Sequence, residues 1–243
     1  MSPRPGLEPT ALCAEQAKSL ANTARCLRKA ERELGPVRYC FQDPSKEGLS
    51  AIFAWKRQKF RETGGYDVLA AAWIRDLFDV LWRWPAPGFG LVFSTLYFGD
   101  RLAAGEVYLR AGDQMHAWIA AYDRDLAVYA PGHILTDKML DAAPTHGVRV
   151  VDFGAGNDDY KARWCLSRRP IREAVVYGAS ISGRMREAMG AQWRSAAAKL
   201  GPVNTVLSRA RGLTDHIFST HGNWAAGAVA FAAAAWDRRR VSA

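Results

Sequence analysis

Cysteine and histidine are scarce in this sequence, and neither is spaced for a metal site. The cysteines lie far apart and form no C-x-x-C pair, which excludes a zinc knuckle and a disulfide framework. We interpret all four as buried thiols: Cys13, Cys26, Cys40 and Cys165. The histidines include one close pair, His216 and His221, with no carboxylate motif between them. We therefore expect no metal in this protein.

Long apolar runs are also missing. The longest, residues 224–236, is rich in alanine and has 13 residues, whereas a helix that crosses a bilayer needs about 20 apolar residues. We interpret it as a packed helix rather than a membrane-associated segment. The first residues include several prolines but no apolar stretch, so that no secretory signal is predicted and a cytoplasmic location is expected.

Acidic residues are few in the last third of the chain. From residue 161 to the end there are 14 Lys and Arg against 4 Asp and Glu, and the whole chain has a net charge of +9. Such a surface attracts nucleic acids, anionic lipids or polyphosphate cofactors. A solvated face that aids solubility explains the charge at least as well as any one of these partners.

The first third of the chain does contain amphipathic helices, and 49% hydrophobic residues with nine Trp predict a globular core. A helix over residues 11–34 is expected to pack on its own domain rather than in a coiled-coil dimer, since only about three heptads are present. Strand 37–41 follows. Two further helices are predicted, one opened by Asp43-Pro44-Ser45 and one over 68–84, with its aromatics in the core. The stripe of the first helix is Cys13, Ala17, Leu20, Ala24, Leu27 and Leu34.

The middle of the chain changes to a strand pattern. Period-two alternation predicts an antiparallel meander of strands 91–98, 102–109 and 115–122, separated by Gly-Asp turns. A helix over about 133–143, a buried strand over 148–153, a strand over 171–177 and basic helices follow. This order predicts an α+β or mixed α/β layer in which a crossover pairs two strands in parallel.

The most informative stretch is the junction between strand 148–153 and the glycine-rich segment 154–163. Glycines at such a junction let the backbone turn tightly and approach a ligand. The helix expected to follow offers unpaired N–H groups and a positive dipole end to an anion. We therefore expect the chemistry of the protein at this junction.

Four motifs together resemble the GNAT acyltransferase superfamily, and within it the CelD-like branch, which is named for a cellulose-biosynthesis protein and related to Fem-type aminoacyl transferases. Segment 25–38 is also similar to the linker helix and first strand of that branch, and the match spans roughly residues 20–180. Each fragment alone is weak, whereas the combination is specific. The motifs are Ala121-Tyr122-Asp123, Tyr129-Ala130-Pro131-Gly132, Val151-Asp152-Phe153-Gly154 and Asp159-Tyr160-Lys161-Ala162-Arg163-Trp164.

The resemblance implies a GNAT-like α+β fold with a mixed sheet and flanking helices. It divides the chain into a linker helix (1–36), an acyltransferase domain (37–180) and a basic, Ala-rich helical extension (181–243). Two departures from the family are visible. The sequence does not include the N-terminal lobe that many members have. The loop before the helix at 133 lacks the Arg/Gln-x-x-Gly-x-Gly/Ala signature that holds the pyrophosphate of coenzyme A.

The resemblance also implies an acetyl-CoA or acyl-CoA site at the start of that helix. Gly132 would allow close approach of the phosphates, and the amides of His133 and Ile134 would donate hydrogen bonds to them. Ordinary helix initiation at a proline is the alternative. The residues assigned to this site are Tyr129, Pro131, Gly132, His133 and Ile134.

Catalytic roles implied by the resemblance fall on four residues. Tyr160 is the candidate acid that protonates the departing thiolate, or else a buried tyrosine with a structural role. Lys161 is either a cation that counters phosphate or an oxyanion, or a surface lysine. Glu106 is a candidate general base, although the solvent face of a half-exposed strand is the favoured interpretation. Asp152 either faces the same active-site cleft as these candidates or points outward by strand alternation.

Three residues are assigned to the acceptor. Asp158 and Asp159 either orient an amine or cap the helix, and Trp118 is assigned to substrate binding. The sequence predicts neither the identity of the acceptor nor the oligomeric state.

Three functions remain open. The leading one is N-acyl transfer by direct attack of an amine-bearing small molecule or sugar on an acyl thioester, because no Ser-His or Cys-His arrangement for a covalent intermediate is visible. The second takes the acyl group from an aminoacyl-tRNA and uses the basic C-terminal third. The third is a non-catalytic partner in polysaccharide or envelope biosynthesis.

Overall fold

The computed structural model describes residues 14–63, 66–84, 86–155 and 161–165, and a few separate positions between 167 and 229. The chain divides into two compact units. The first comprises Met1–Phe60 and Ala72–Arg168, and the second comprises Arg61–Ala71 and Arg169–Ala243. The strand predicted at 171–177 lies outside the described residues.

A five-stranded sheet in the order β1-β2-β3-β4-β5 forms the centre of the first unit. The first four strands pair antiparallel, and β5 pairs in parallel with β4. The predicted meander, the parallel crossover pair and the mixed α+β fold are therefore confirmed. The strands are β1 Val37–Cys40, β2 Phe89–Phe98, β3 Arg101–Ala111, β4 Gln114–Tyr122 and β5 Val150–Asp152.

Strand β5 is shorter and more exposed than the sequence predicts. The apolar run 148–153 predicts a buried strand, but only Val150–Asp152 pairs with β4, and Val150 is 42% exposed. Val148, which precedes the strand, is buried in a cluster with Met115 and Met139. The run thus contributes to the core before the strand begins.

One face of the sheet is covered by α1 (Ala14–Leu34) and α4 (Pro131–Ala142). The prediction that the first helix packs on its own domain is confirmed, but its most buried residues are Thr23, Cys26 and Ala30, while Ala17 is exposed. The core between α1, α4 and the sheet includes Cys26, Ala30, Leu96, Phe98, Ala103, Ala104, Leu126, Ile134 and Leu135.

Helix α2 (Lys46–Thr63) begins where the sequence predicts, because Ser45 Oγ accepts a 2.9 Å hydrogen bond from the amide of Gly48. Ile52 of this helix packs so closely on β3 that a Cβ added at Gly105 would lie 2.8 Å from its side chain. Only glycine at position 105 lets α2 approach the sheet this closely.

The helix predicted over 68–84 is interrupted at Ala71. A 3₁₀ turn at Val68–Ala70 precedes Ala71, whose ψ of 126° is extended, and α3 spans Ala72–Trp82. Its aromatics were assigned to the core, but Trp73 is 51% exposed, whereas Phe78 is 2% exposed. Apolar spacing continues through the break, so the pattern alone does not reveal it.

The predicted end of α1 is confirmed by two glycines. Gly35 adopts a φ of 101° directly after the helix. Gly99, in the β2–β3 turn, has a φ of 57°, and a Cβ there would lie 2.6 Å from the carbonyl oxygen of Leu34. The close approach of turn and helix therefore requires glycine at position 99.

No helix in the described part of the chain is long and apolar enough to cross a membrane. Within the same residues, no group of three or more His, Cys, Asp or Glu side chains is arranged to hold a metal ion. The described cysteines are free thiols: Cys26 is buried, whereas Cys40 and Cys165 are only partly buried. Cys13 lies outside the described residues.

Candidate functional site

Strand β4 separates from β5 part-way along its length. Only Gln114–His116 pairs with β5, and residues 117–122 have no strand on this side among the described residues. A bulge at Trp118 shifts the register with β3 at the same point. Bulges bend a strand and leave backbone groups outside the ladder. We call residues 117–122 the open edge of β4; Trp118, Ala120 and Tyr122 are exposed on it.

Glu106 of β3 lies directly opposite Ala120 of the open edge. Its side chain is buried, and Oε2 accepts a 2.6 Å hydrogen bond from the Tyr108 hydroxyl. Burial raises the pKa of Glu106 from 4.5 to about 7, although the Tyr108 hydrogen bond and the Lys56 charge lower it. The favoured interpretation of Glu106 as a solvent-facing residue is therefore wrong. A carboxylate with this pKa accepts protons at neutral pH.

The polar groups on the other side of Glu106 are uncharged. Ser94 of β2 lies directly opposite Glu106 and donates a 2.8 Å hydrogen bond to the carbonyl of Phe41. The Tyr39 hydroxyl donates to Ser94 Oγ at 3.3 Å. Burial raises the pKa of Tyr39 to about 12, so this phenol stays neutral at physiological pH.

Lys56 of α2 reaches the open edge from a different part of the fold. Its ammonium donates a 3.3 Å hydrogen bond to the carbonyl of Ala120, the residue opposite Glu106. Burial lowers the pKa of Lys56 and the charge of Lys59 adds to this effect, while Glu106 raises it. The structure thus brings a cation, a carboxylate and an open strand edge together.

The start of α4, the predicted phosphate site, is closed by its own hydrogen bonds. Ala130 has a left-handed φ of 52°, and its carbonyl accepts hydrogen bonds from the amides of His133 and Ile134 at 3.0 and 3.2 Å. These two amides already donate to a carbonyl, so the expectation that they are available to phosphates is corrected. Gly132 borders the open edge, because a Cβ there would lie 3.6 Å from Tyr122 Cδ1.

Three of the predicted cofactor side chains point elsewhere. Tyr129 donates a 3.1 Å hydrogen bond to Glu33 of α1, and its ring packs edge-on against Phe98. Pro131 and Ile134 are buried, Ile134 in the core between α4 and the sheet. These residues hold the start of α4 in place through packing.

Lys161 is not the surface lysine of the alternative interpretation. It is 8% exposed, and its ammonium donates to the carbonyls of Ala155 at 2.6 Å and Gly154 at 3.5 Å. The amide of Gly154 in turn donates to Asp152 Oδ1 at 2.8 Å. Lys161 and Asp152 thus hold the glycine turn that follows β5.

Asp152 is half-exposed, and its contacts lie at the end of β5. Its second carboxylate oxygen lies 3.9 Å from Nδ1 of His116, at the last position where β4 and β5 pair. The structure therefore places Asp152 at the point where the two strands separate.

The Lys161-Ala162-Arg163-Trp164 motif docks on the first turns of α4. Trp164 Nε1 donates a 2.7 Å hydrogen bond to Asp137, and Arg163 Nη1 lies 2.9 Å from Nδ1 of His133. Burial lowers the pKa of His133, and the Arg163 charge lowers it further, which favours a neutral ring that accepts this hydrogen bond. A guanidinium is thereby held at the first turn of α4.

The acceptor residues are only partly described. Trp118, at the bulge, is 38% exposed and packs against Phe78 with ring centroids 4.7 Å apart. Its exposed part gives the open edge an aromatic surface. Asp158, Asp159 and Tyr160 lie outside the described residues.

Tyr108, Lys56 and Arg163 are the site residues that sequence reasoning missed. Strand alternation contains the signal for Tyr108, because residues two apart on a strand share a face and Glu106 was already a candidate. Lys56 has no such signal, since α2 carries several Lys and Arg residues and no motif distinguishes one of them. Arg163 belongs to a quoted motif, but no role was assigned to it.

A family model described as the acetyltransferase (GNAT) domain matches residues 17–162, which is more than half of the chain. No curated protein matches the chain. Among solved structures, the chain is similar to an aminoglycoside acetyltransferase from an uncultured soil metagenomic sample, crystallised in complex with trehalose. That likeness has 9% sequence identity and a TM-score of 0.41, and covers 59% of this chain and 97% of the other.

Proposed function

Because the chain belongs to the GNAT acetyltransferase family and is an acyltransferase, we propose that it transfers an acyl group from acyl-CoA to an amine by direct attack. The acceptor is a small molecule or sugar that carries the amine. The observation that supports this best is Glu106, a buried carboxylate with a pKa of about 7 opposite the open edge of β4. Such a group is suited to general-base catalysis at neutral pH.

In the proposed reaction, Glu106 takes a proton from the acceptor ammonium, directly or through one water molecule. The amine nitrogen attacks the thioester carbonyl carbon, a C–N bond forms, and the C–S bond breaks. The nitrogen loses its second proton to solvent as the tetrahedral intermediate collapses. The departing thiolate receives a proton from an acid, a role that the motif resemblance gives to Tyr160. No enzyme-bound acyl intermediate is needed.

The open edge supports a place for the acyl donor. An extended chain with amide groups, such as the pantetheine arm, can pair with unpaired backbone groups as an added strand does. Backbone amides at the Trp118 bulge are suited to stabilise an oxyanion, because bulged residues leave the ladder.

The donor's phosphates need a different partner from the one that the sequence predicts, since the amides of His133 and Ile134 already bond Ala130. We assign them to the positive end of α4 together with the Arg163 guanidinium beside His133. Gly132 gives them access along the open edge.

The assignment to one branch of the family, the biological role and the cellular location also belong to this proposal. The quoted motifs support the CelD-like branch and a role in polysaccharide biosynthesis, and the composition supports a cytoplasmic location. The domain boundaries at residues 36 and 180 remain proposals that rest on the resemblance of the motifs. Roles for Asp158 and Asp159 in orienting the amine rest on the sequence alone.

Titration of the purified chain with acetyl-CoA and longer acyl-CoAs, followed by thiol release in the presence of amines, tests the proposal. The acceptor panel contains aminosugars, diamines and amino acids, with the matching hydroxyl sugars as controls. We expect acyl-CoA binding and thiol release that depends on an amine. Absence of acyl-CoA binding, together with tRNA binding that falls steeply with salt, would instead support aminoacyl transfer.

A further inference from the structure

The Lys56 ammonium is anchored without being neutralised. Its hydrogen-bond acceptor is the carbonyl of Ala120 at 3.3 Å, which is a dipole and not a charge. No ion pair joins Lys56 to a carboxylate in the described part of the chain, so its full charge remains to act on nearby groups. The residue directly across the sheet from Ala120 is Glu106.

Among the residues that the structure describes, Lys56 is the charged group that acts on Glu106. Tyr108, which bonds it, is a neutral phenol, and Tyr39 and Ser94 on the neighbouring strands are neutral as well. The buried residues of α4 are apolar or uncharged: Pro131, Ile134, Leu135, Thr136 and Met139. The titratable residues of its first turns, His133 and Asp137, contact Arg163 and Trp164.

We propose that Lys56 is a positioning residue for Glu106: anchored on the Ala120 carbonyl, its ammonium keeps the buried carboxylate in the anionic form that accepts a proton. Burial by itself favours the neutral acid, which cannot act as a base. A nearby cation opposes burial and extends the pH range in which the base is available. The inference rests on the proposed function, in which Glu106 is the general base.

A double-mutant cycle tests the electrostatic step without any substrate. The four proteins are wild type, Lys56→Met, Glu106→Gln and the double variant, and urea unfolding is measured at pH 5 and pH 8.5. At pH 8.5 Glu106 is ionised, and we expect a coupling equal to about a threefold to tenfold change in the unfolding equilibrium constant. At pH 5 Glu106 is protonated, and the coupling should vanish. Equal coupling at both pH values, or none at pH 8.5, overturns the inference.

The pH dependence of kcat/KM tests the catalytic step. In Lys56→Met, the acidic limb of the profile should shift to higher pH by about half a pH unit or more, because loss of the cation favours the protonated acid. Lys56→Arg keeps the charge and should restore the wild-type limb. Lys59→Met is the matched control one turn along α2, and its limb should stay in place.

The two hypotheses fail in different ways. If Glu106→Gln lowers turnover strongly but the Lys56→Met limb does not move, Glu106 remains the base and the inference about Lys56 is overturned. If Glu106→Gln is fully active, the proposed function fails, while the unfolding cycle still measures the coupling between the two side chains.

Discussion

The Tyr108 hydroxyl donates a 2.6 Å hydrogen bond to Glu106 Oε2, and both side chains are buried on the same face of β3. The bond satisfies one carboxylate oxygen and restricts its rotation. The second oxygen remains for a proton from the acceptor. Burial favours the neutral form, whereas the hydrogen bond and the Lys56 charge favour the ionised form, and the balance sets a pKa of about 7.

Replacing Glu106 by Gln should lower kcat by about 10²–10⁴-fold, since general-base catalysis typically contributes this much. The change preserves shape and the ability to accept the Tyr108 hydrogen bond, so acyl-CoA affinity should stay near that of wild type. Thiol release gives kcat, and calorimetry gives the affinity. A variant with wild-type kcat would remove Glu106 from the mechanism.

The same substitution should change how stability depends on pH. The folded pKa of Glu106 is about 7, above its ordinary value of 4.5, so the native state holds the proton more tightly than the unfolded state does. Wild type therefore loses stability as pH rises from 4.5 to 7. Glu106→Gln does not titrate, and above pH 7 it should be more stable by roughly 3 kcal/mol at most. Thermal unfolding of both proteins from pH 4.5 to 8.5 measures this, and parallel curves would contradict it.

Tyr108→Phe should raise the pKa of Glu106 further, because it removes a hydrogen bond to the ionised form. We expect the acidic limb of the kcat/KM profile to shift to higher pH. The free energy of unfolding above pH 7 should fall by about 1.5–3 kcal/mol. Tyr39→Phe is the matched control, because the Tyr39 hydroxyl donates to Ser94 and not to Glu106. An equal shift in both variants would argue against a specific role for Tyr108.

Gly132→Val should weaken acyl-CoA binding at least tenfold, an estimate that corresponds to about 1.4 kcal/mol. The branched side chain would fill the space between the start of α4 and Tyr122 of the open edge. Gly132→Ala is the control, because its Cβ meets Tyr122 at an ordinary 3.6 Å. Calorimetric titration measures both variants, and unchanged affinity in Gly132→Val would remove this part of the donor site.

Lys161→Met should lower the free energy of unfolding by about 1–3 kcal/mol, because it leaves the carbonyls of Gly154 and Ala155 without their ammonium donor. If the contacts to the glycine turn define its role, acyl-CoA affinity should change little. Lys18→Met, at an exposed position of α1, is the control and should unfold like wild type. A large loss of donor affinity without loss of stability would restore the predicted role in phosphate binding.

Several elements of the fold could be predicted because their signals are local. Gly35 ends α1 through its positive φ, Ser45 caps α2 through its hydroxyl, and the Gly-Asp turns separate the meander strands. The break at Ala71 and the shortened β5 could not be predicted in this way. Apolar spacing continues through both, and only packing decides which of the apolar residues enter the core.

Strand alternation and turn chemistry act between neighbours in the chain, so the meander and the crossover could be predicted from the sequence. The burial of Glu106, in contrast, follows from the packing of the whole fold. Alternation puts a side chain on one face of a strand, but whether that face meets water depends on what packs against it. In this fold the carboxylate is buried opposite the open edge of β4 and bonded by Tyr108, and burial raises its pKa to about 7.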